Sequence, residues 1–201
     1  MKKSIKKKTK PMTSRYEAVV MGASAGGLEA LRFILGSLPD DFPLPIIIVQ
    51  HRHPNSDDYL ITCLNERCRL RVKEADEKGK IEGGIVYIAP PNYHLLIEED
   101  RTFSLSVSAH VNYARPSVDV LFETASDTYG AKLIGVILTG ANNDGSLGLK
   151  EVKEHGGRVI VQDPETAEAA SMPKAALKAT EVDDILSLDE IASFLCKLCG
   201  C

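Results

Sequence analysis

Ile46-Ile47-Ile48-Val49 is a run of four consecutive β-branched residues with no polar interruption. A strand with one face in water alternates apolar and polar residues. This run offers water nothing on either face, so it reads as a strand buried on both sides. Comparable short runs recur at Ala18-Val19-Val20-Met21, Ile85-Val86-Tyr87-Ile88, Leu133 to Leu138 and Val159-Ile160-Val161, with weaker ones at Leu70-Arg71-Val72 and Val182 to Leu186. Most of the intervals carry helical spacing, over 28–35, 57–66, 117–129, 144–155, 173–179 and 189–198. Strands alternating with helices predict an α/β fold: a doubly wound, mostly parallel sheet with helices on both faces. One stretch breaks the pattern. Between Tyr93 and Val107 two alternating pieces flank Glu98-Glu99-Asp100-Arg101, which predicts one antiparallel hairpin. Ser117 stands where it can cap the helix that Gly130 ends.

The charge is uneven. The net charge is −4, yet residues 1–10 hold six lysines and no acid, so residues 11–201 carry −10. Residues 1–14 therefore read as a disordered basic tail and 15–201 as a single folded domain. The tail can touch an anionic surface weakly through charge alone, or serve only to solubilise the chain. An acidic main body argues against specific nucleic-acid binding. No apolar run is long enough to span a bilayer, and the lysines are not followed by the apolar segment of a secretory signal, so the expected compartment is the cytoplasm. Five cysteines, an odd number, suit a reducing environment. Cys196, Cys199 and Cys201 cluster at the C-terminus, but no fourth ligand completes a metal motif; they read as free thiols at a helix end, with no metal expected.

Open parallel sheets bind ligands at the carboxyl ends of their strands, where the winding reverses. Three chemically capable residues lie just after predicted strands. Ser24 sits in Gly22-Ala23-Ser24-Ala25-Gly26-Gly27, a strand–turn–helix sequence whose small residues let a substrate approach an exposed hydroxyl. The same glycines would suit a phosphate loop. His51 follows the Ile46–Gln50 strand, with His53 as a rival two residues on. Asp144 follows the turn Thr139-Gly140-Ala141-Asn142-Asn143. A hydroxyl, an imidazole and a carboxylate at one sheet edge are what acyl transfer requires: nucleophile, base and the group that orients the base. Each has a plainer reading. Ser24 can be a small turn residue and Asp144 a cap for the helix that follows it. Ala25 and the Gly140-Ala141 turn can supply backbone N–H donors for an oxyanion. Arg115 can orient a substrate segment or form a structural ion pair. His94 and His110, near predicted strand ends, read as structural or peripheral.

Six separated motifs then resemble CheB, the chemotaxis protein-glutamate methylesterase family. They are Gly-Ala-Ser-Ala-Gly-Gly at 22–27, Val-Gln-His at 49–51, Tyr-Ile-Ala-Pro at 87–90, Arg-Pro-Ser-Val-Asp-Val-Leu-Phe at 115–122, Leu-Thr-Gly-Ala-Asn-Asn-Asp-Gly at 138–145 and Ser-Met-Pro at 171–173. The resemblance implies a doubly wound α/β catalytic domain with a triad at Ser24, His51 and Asp144. It implies hydrolysis of glutamate γ-methyl esters on chemoreceptors with release of methanol, in some members also deamidation of receptor glutamines, and no metal or organic cofactor. It implies a functional partner too, the receptor methyltransferase that writes the ester. The chain departs from the family's familiar members in two ways. It has a short lysine-rich stretch where they carry a receiver domain, and so looks like a stand-alone catalytic domain. Ala141-Asn142 replaces their Met-Gly, which would strain Asn142 if that position needs a positive φ.

Two other readings remain from the residues alone. A non-catalytic adaptor could keep the fold, although it has no use for three acyl-transfer groups. A nucleotide binder could use Gly22–Gly27, but no lysine follows those glycines as in a P-loop, and His51 occupies the place of a ribose-binding acid.

Overall fold

The computed structural model describes residues 15–201; the lysine-rich tail predicted over 1–14 lies outside them. Seven strands form one wholly parallel sheet: β1 (Ala18–Ala23), β2 (Ile46–Gln50), β3 (Arg71–Glu74), β4 (Ile85–Ile88), β7 (Leu133–Ile137), β8 (Arg158–Gln162) and β9 (Asp184–Leu186), in the order β3-β4-β2-β1-β7-β8-β9. The predicted hairpin is present as β5 (His94–Ile97) paired antiparallel with β6 (Phe103–Ser106). Helices α1 (Gly27–Ser37), α2 (Tyr59–Asn65), α3 (Val118–Tyr129), α4 (Ser146–Glu154), α5 (Ser171–Ala179) and α6 (Leu188–Cys199) complete the fold, with one 3₁₀ turn before β7.

The β-branched run at β2 is buried along its whole length, as its composition requires. Successive side chains of a strand point to opposite faces, and the two cores divide the strands accordingly. Val19, Met21, Ile46 and Ile48 join the core under α1, α2 and α6. Ala18, Val20, Ile47 and Val49 join the core under α3, α4, α5 and the hairpin. The helices that follow β1 and β2 lie on the first face, and those that follow β7 and β8 on the second. The winding therefore reverses between β1 and β7, and a crevice opens at their carboxyl ends.

Two glycines make that crevice tight. Gly22 of β1 lies under α3, where an added methyl carbon would sit 2.3 Å from Val118 Cγ1. Gly140, just past β7, would place one 1.9 Å from Met172 Sδ and 3.0 Å from Ser24 Cβ. The start of α3 thus rests directly on β1, and the turn after β7 directly on Ser24. Gly22→Ala should cost about 1–3 kcal/mol of stability by overpacking. Because the clash is with Val118, the Gly22→Ala/Val118→Ala double variant should be more stable than the two single losses predict when added. Urea unfolding of the four proteins checks this; simple additivity would mean that Val118 is not what Gly22 accommodates.

Candidate active site

Parallel pairing sets the first two residues side by side. Ala23 is in register with Gln50, so the residues that follow, Ser24 and His51, leave neighbouring strands about 4.8 Å apart. Backbone bonds fix both exits: His51 N–H donates to Ala23 O at 3.0 Å, and Ser24 N–H to Thr139 O at 3.0 Å. Gln50, which the sequence reading passed over, clamps them from beneath. Its Nε2 donates to Ser24 O and His51 O, each at 2.9 Å. After Ser24 the chain turns into α1 through Gly26, whose φ of 75° is left-handed and suits a residue without Cβ.

Asp144 arrives from β7 through the 139–143 turn. Its side chain is fully buried and accepts His51 Nε2 at 2.7 Å; the His51 side chain is 13 % exposed. It also accepts Ser117 Oγ at 2.7 Å, the Val118 N–H at 2.7 Å, the Asp119 N–H at 3.3 Å and Asn112 Nδ2 at 3.1 Å. The plainer sequence reading of Asp144, a cap for its own helix, is replaced by something else. Gly145 occupies the N-cap of α4 with φ 90°, while Asp144 caps the first amides of α3, a different helix. The expectation for Ser117 changes with it. Ser117 holds the N-cap position of α3, but its hydroxyl points to Asp144 instead of its own helix amides. The carboxylate has taken that role.

Burial pushes the Asp144 carboxyl up, but the His51, Val118, Ser117 and Asn112 hydrogen bonds outweigh it and hold the group below the usual carboxylate range. Asp119, one turn away, goes the other way. Its burial, reinforced by the Asp144 charge, outweighs the Gly148 amide and Asn112 and pushes it up. Asn112 Nδ2 stands between the two carboxylates, 2.7 Å from Asp119 Oδ2.

Ser24, His51, Asn142 and Arg115 line one open cleft of about 410 Å³ together with residues of the 110–116 loop. The Ser24 hydroxyl makes no hydrogen bond among the described residues, nor do the Ala25 and Ala141 amides, and both alanines are exposed. Arg115 lines the cleft, but its guanidinium is committed to Asn92 Oδ1 at 2.7 Å and to the Val107 and Ser108 carbonyls at 2.7 and 2.9 Å. It braces the 107–116 loop. Asn142 does not have a positive φ; the non-glycine residues that do are Lys78, Asn92, Arg101, Asn112 and Tyr113. The strain anticipated at Asn142 is therefore absent. His53 is exposed and accepts the Asn55 N–H. His94 is buried, bonded to Ala109 O and Ser117 N–H. Among the described residues, no cluster of three His, Cys, Asp or Glu is placed to hold a metal, and no helix is long and apolar enough to cross a membrane. Cys196 is pushed up to about 12 by burial and by Cys201.

Because Asp144 has a lower pKa folded than unfolded, its ionised form stabilises the fold above the ordinary carboxylate pKa of about 3.9. That contribution is lost as pH falls through the lowered value. Asp144→Asn should therefore cost about 1–3 kcal/mol at neutral pH. Its deficit against wild type should shrink as pH drops below about 4. Urea titrations at several pH values test this, and a deficit independent of pH would show that the charge is not its source.

The comparisons with known proteins agree with one another. The family model described as CheB methylesterase matches residues 19–195. A protein of Leptospira interrogans named putative protein-glutamate methylesterase/protein-glutamine glutaminase is 57% identical over 183 residues, which is 91% of this chain and 95% of that protein. The Thermotoga maritima protein-glutamate methylesterase/protein-glutamine glutaminase is 38% identical over 193 residues; the match covers 94% of this chain and 56% of that protein, so this chain spans about half of such longer relatives. The crystal structure of the T. maritima CheB methylesterase catalytic domain superposes with a TM-score of 0.87 at 38% identity, covering 91% of this chain and 98% of that one.

Proposed function

The chain belongs to the CheB methylesterase family, and we propose that Ser24, His51 and Asp144 are the groups with which it works. Membership makes it a protein-glutamate methylesterase/protein-glutamine glutaminase, a hydrolase of methyl esters on glutamate side chains that can also deamidate glutamine. Nothing in these findings favours an adaptor without activity. We take 15–201 as its catalytic domain, the cytoplasm as its compartment and a methylated chemoreceptor as its substrate, paired with the methyltransferase that writes the ester.

The observation that carries the assignment of residues is the 2.7 Å contact of His51 Nε2 with the buried Asp144 carboxylate, in the same cleft as a serine hydroxyl that no described residue engages. With Nε2 held by Asp144, Nδ1 is the ring nitrogen left for Ser24. Nδ1 takes the hydroxyl proton as Oγ attacks the ester carbonyl carbon. The carboxylate supports the imidazolium that forms, and the open amides of Ala25 and Ala141 receive the oxyanion in this reading. Collapse of the tetrahedral intermediate breaks the bond to the methoxy oxygen, which leaves as methanol with the proton from Nδ1. Water then attacks the acyl-serine by the same proton path and frees the glutamate carboxylate. With a glutamine side chain the leaving group is ammonia. Arg115 serves the reaction indirectly, by bracing the cleft wall on which a receptor segment rests.

Ser24→Ala should lower methanol release from a methylated receptor fragment on the order of 10⁴-fold or more. Its thermal unfolding should be unchanged, since a small residue replaces a small one. Near-wild-type turnover in Ser24→Ala would remove Ser24 as nucleophile. Silence from the wild type on several receptors would remove the substrate assignment.

A further inference from the structure

Activation of Ser24 needs a lone pair on His51, and that lone pair is in use. Asn142 Nδ2 lies 3.0 Å from His51 Nδ1. The amide cannot be turned round, because its Oδ1 accepts the Asp144 backbone N–H at 3.0 Å and only an oxygen can do so. Nδ2 is therefore a donor to the imidazole. Asp144 accepts at the other nitrogen, so the ring carries its proton on Nε2 and accepts on Nδ1. A neutral imidazole has one acceptor nitrogen. The Asn142 amide and the Ser24 hydroxyl compete for it, and in this arrangement Asn142 holds it while the Ser24 hydroxyl has no hydrogen bond among the described residues.

We propose that Asn142 is a positioning residue that caps the His51 base in the resting enzyme, and that Nδ1 passes to Ser24 only when substrate displaces the Asn142 amide. The proposal rests on the acyl-transfer reading of Ser24, His51 and Asp144. Asn142 is half-buried and lines the same cleft as Ser24, so an entering ester meets it directly. The cap fixes the ring's tautomer and orientation. It also ties the turn that carries Asp144 to the base that Asp144 supports, through one side chain with a contact at each end.

Two variants separate the cap from a merely structural role. Asn142→Ala removes it. Asn142→Asp keeps an oxygen for the Asp144 N–H but replaces the donor to Nδ1 with a carboxylate. A neutral hydrogen bond is worth about 0.5–1.5 kcal/mol net, so freeing Nδ1 should raise kcat/KM for methanol release roughly two- to tenfold on the alkaline plateau in Asn142→Ala. In Asn142→Asp the added carboxylate favours the protonated ring, so kcat/KM should fall and its acid limb should move to higher pH. The other charged or titratable groups around His51 are Asp144, Asp119 behind it, Arg52, Arg115, His110 and Tyr113 along the cleft, and Asp57 and Tyr59 on its other side; both variants leave all of them in place. Lowered thermal stability with an unmoved acid limb in both variants would overturn the cap.

A second readout does not depend on turnover. In ¹⁵N spectra of the full chain, His51 Nδ1 should appear as a hydrogen-bonded acceptor nitrogen. In Asn142→Ala it should shift toward the position of a free one; an unchanged resonance would overturn the cap. If the wild type releases no methanol from any receptor tried, the substrate assignment fails, and the spectra still decide whether Asn142 caps the ring.

Discussion

The buried Asp144 carboxylate is the point on which the site turns. It accepts from the imidazole of one loop, from the hydroxyl and amides at the start of α3, and from an amide side chain of the cleft loop. A carboxylate without water is costly unless its lone pairs are filled. Here the donors fill them, and the positive end of the α3 macrodipole adds to their effect. The carboxylate that holds His51 is therefore also the cap of a helix. The imidazole and the helix share one group, and the hydrogen bonds of the fold keep that carboxylate ionised.

That sharing explains why the elements around it pack so closely. α3 can bring its first amides to Asp144 only if it lies low on the sheet, and Gly22 permits this by leaving room for Val118. The 139–143 turn can deliver Asp144 only if it passes over Ser24, and Gly140 permits that against Met172. The Ser-Met-Pro motif at 171–173 thus acts through packing. It sets the floor of the turn, with Met172 against Gly140.

Much of this was legible in the residues. The β-branched run of β2 predicted a strand covered on both faces, and the alternation of runs predicted the parallel sheet, because burial leaves a direct mark on composition. The preference for His51 over His53 followed from the strand end alone. Other roles left no such mark. Ser117 looked like a helix cap because serine usually is one at that position. Nothing local said that a carboxylate 27 residues away would take its place. Arg115 looked able to hold a substrate; that loop carbonyls and Asn92 would engage four of its five N–H groups left no local mark. Gln50 and Asn112 were silent for the same reason, and Asn142 stood out only for its backbone. An amide side chain has no preferred partner until the fold supplies one.

By itself, the sequence determined the layer architecture and the strand ends after which Ser24, His51 and Asp144 lie. Those depend on periodicity and on residues next to one another in the chain. The tertiary structure alone decided which nitrogen of His51 Asp144 holds, which helix Asp144 caps and which side chain meets the other nitrogen. Those depend on the directions of hydrogen bonds between segments that the chain separates by up to 93 residues, and direction is fixed only when the strands that carry them lie side by side.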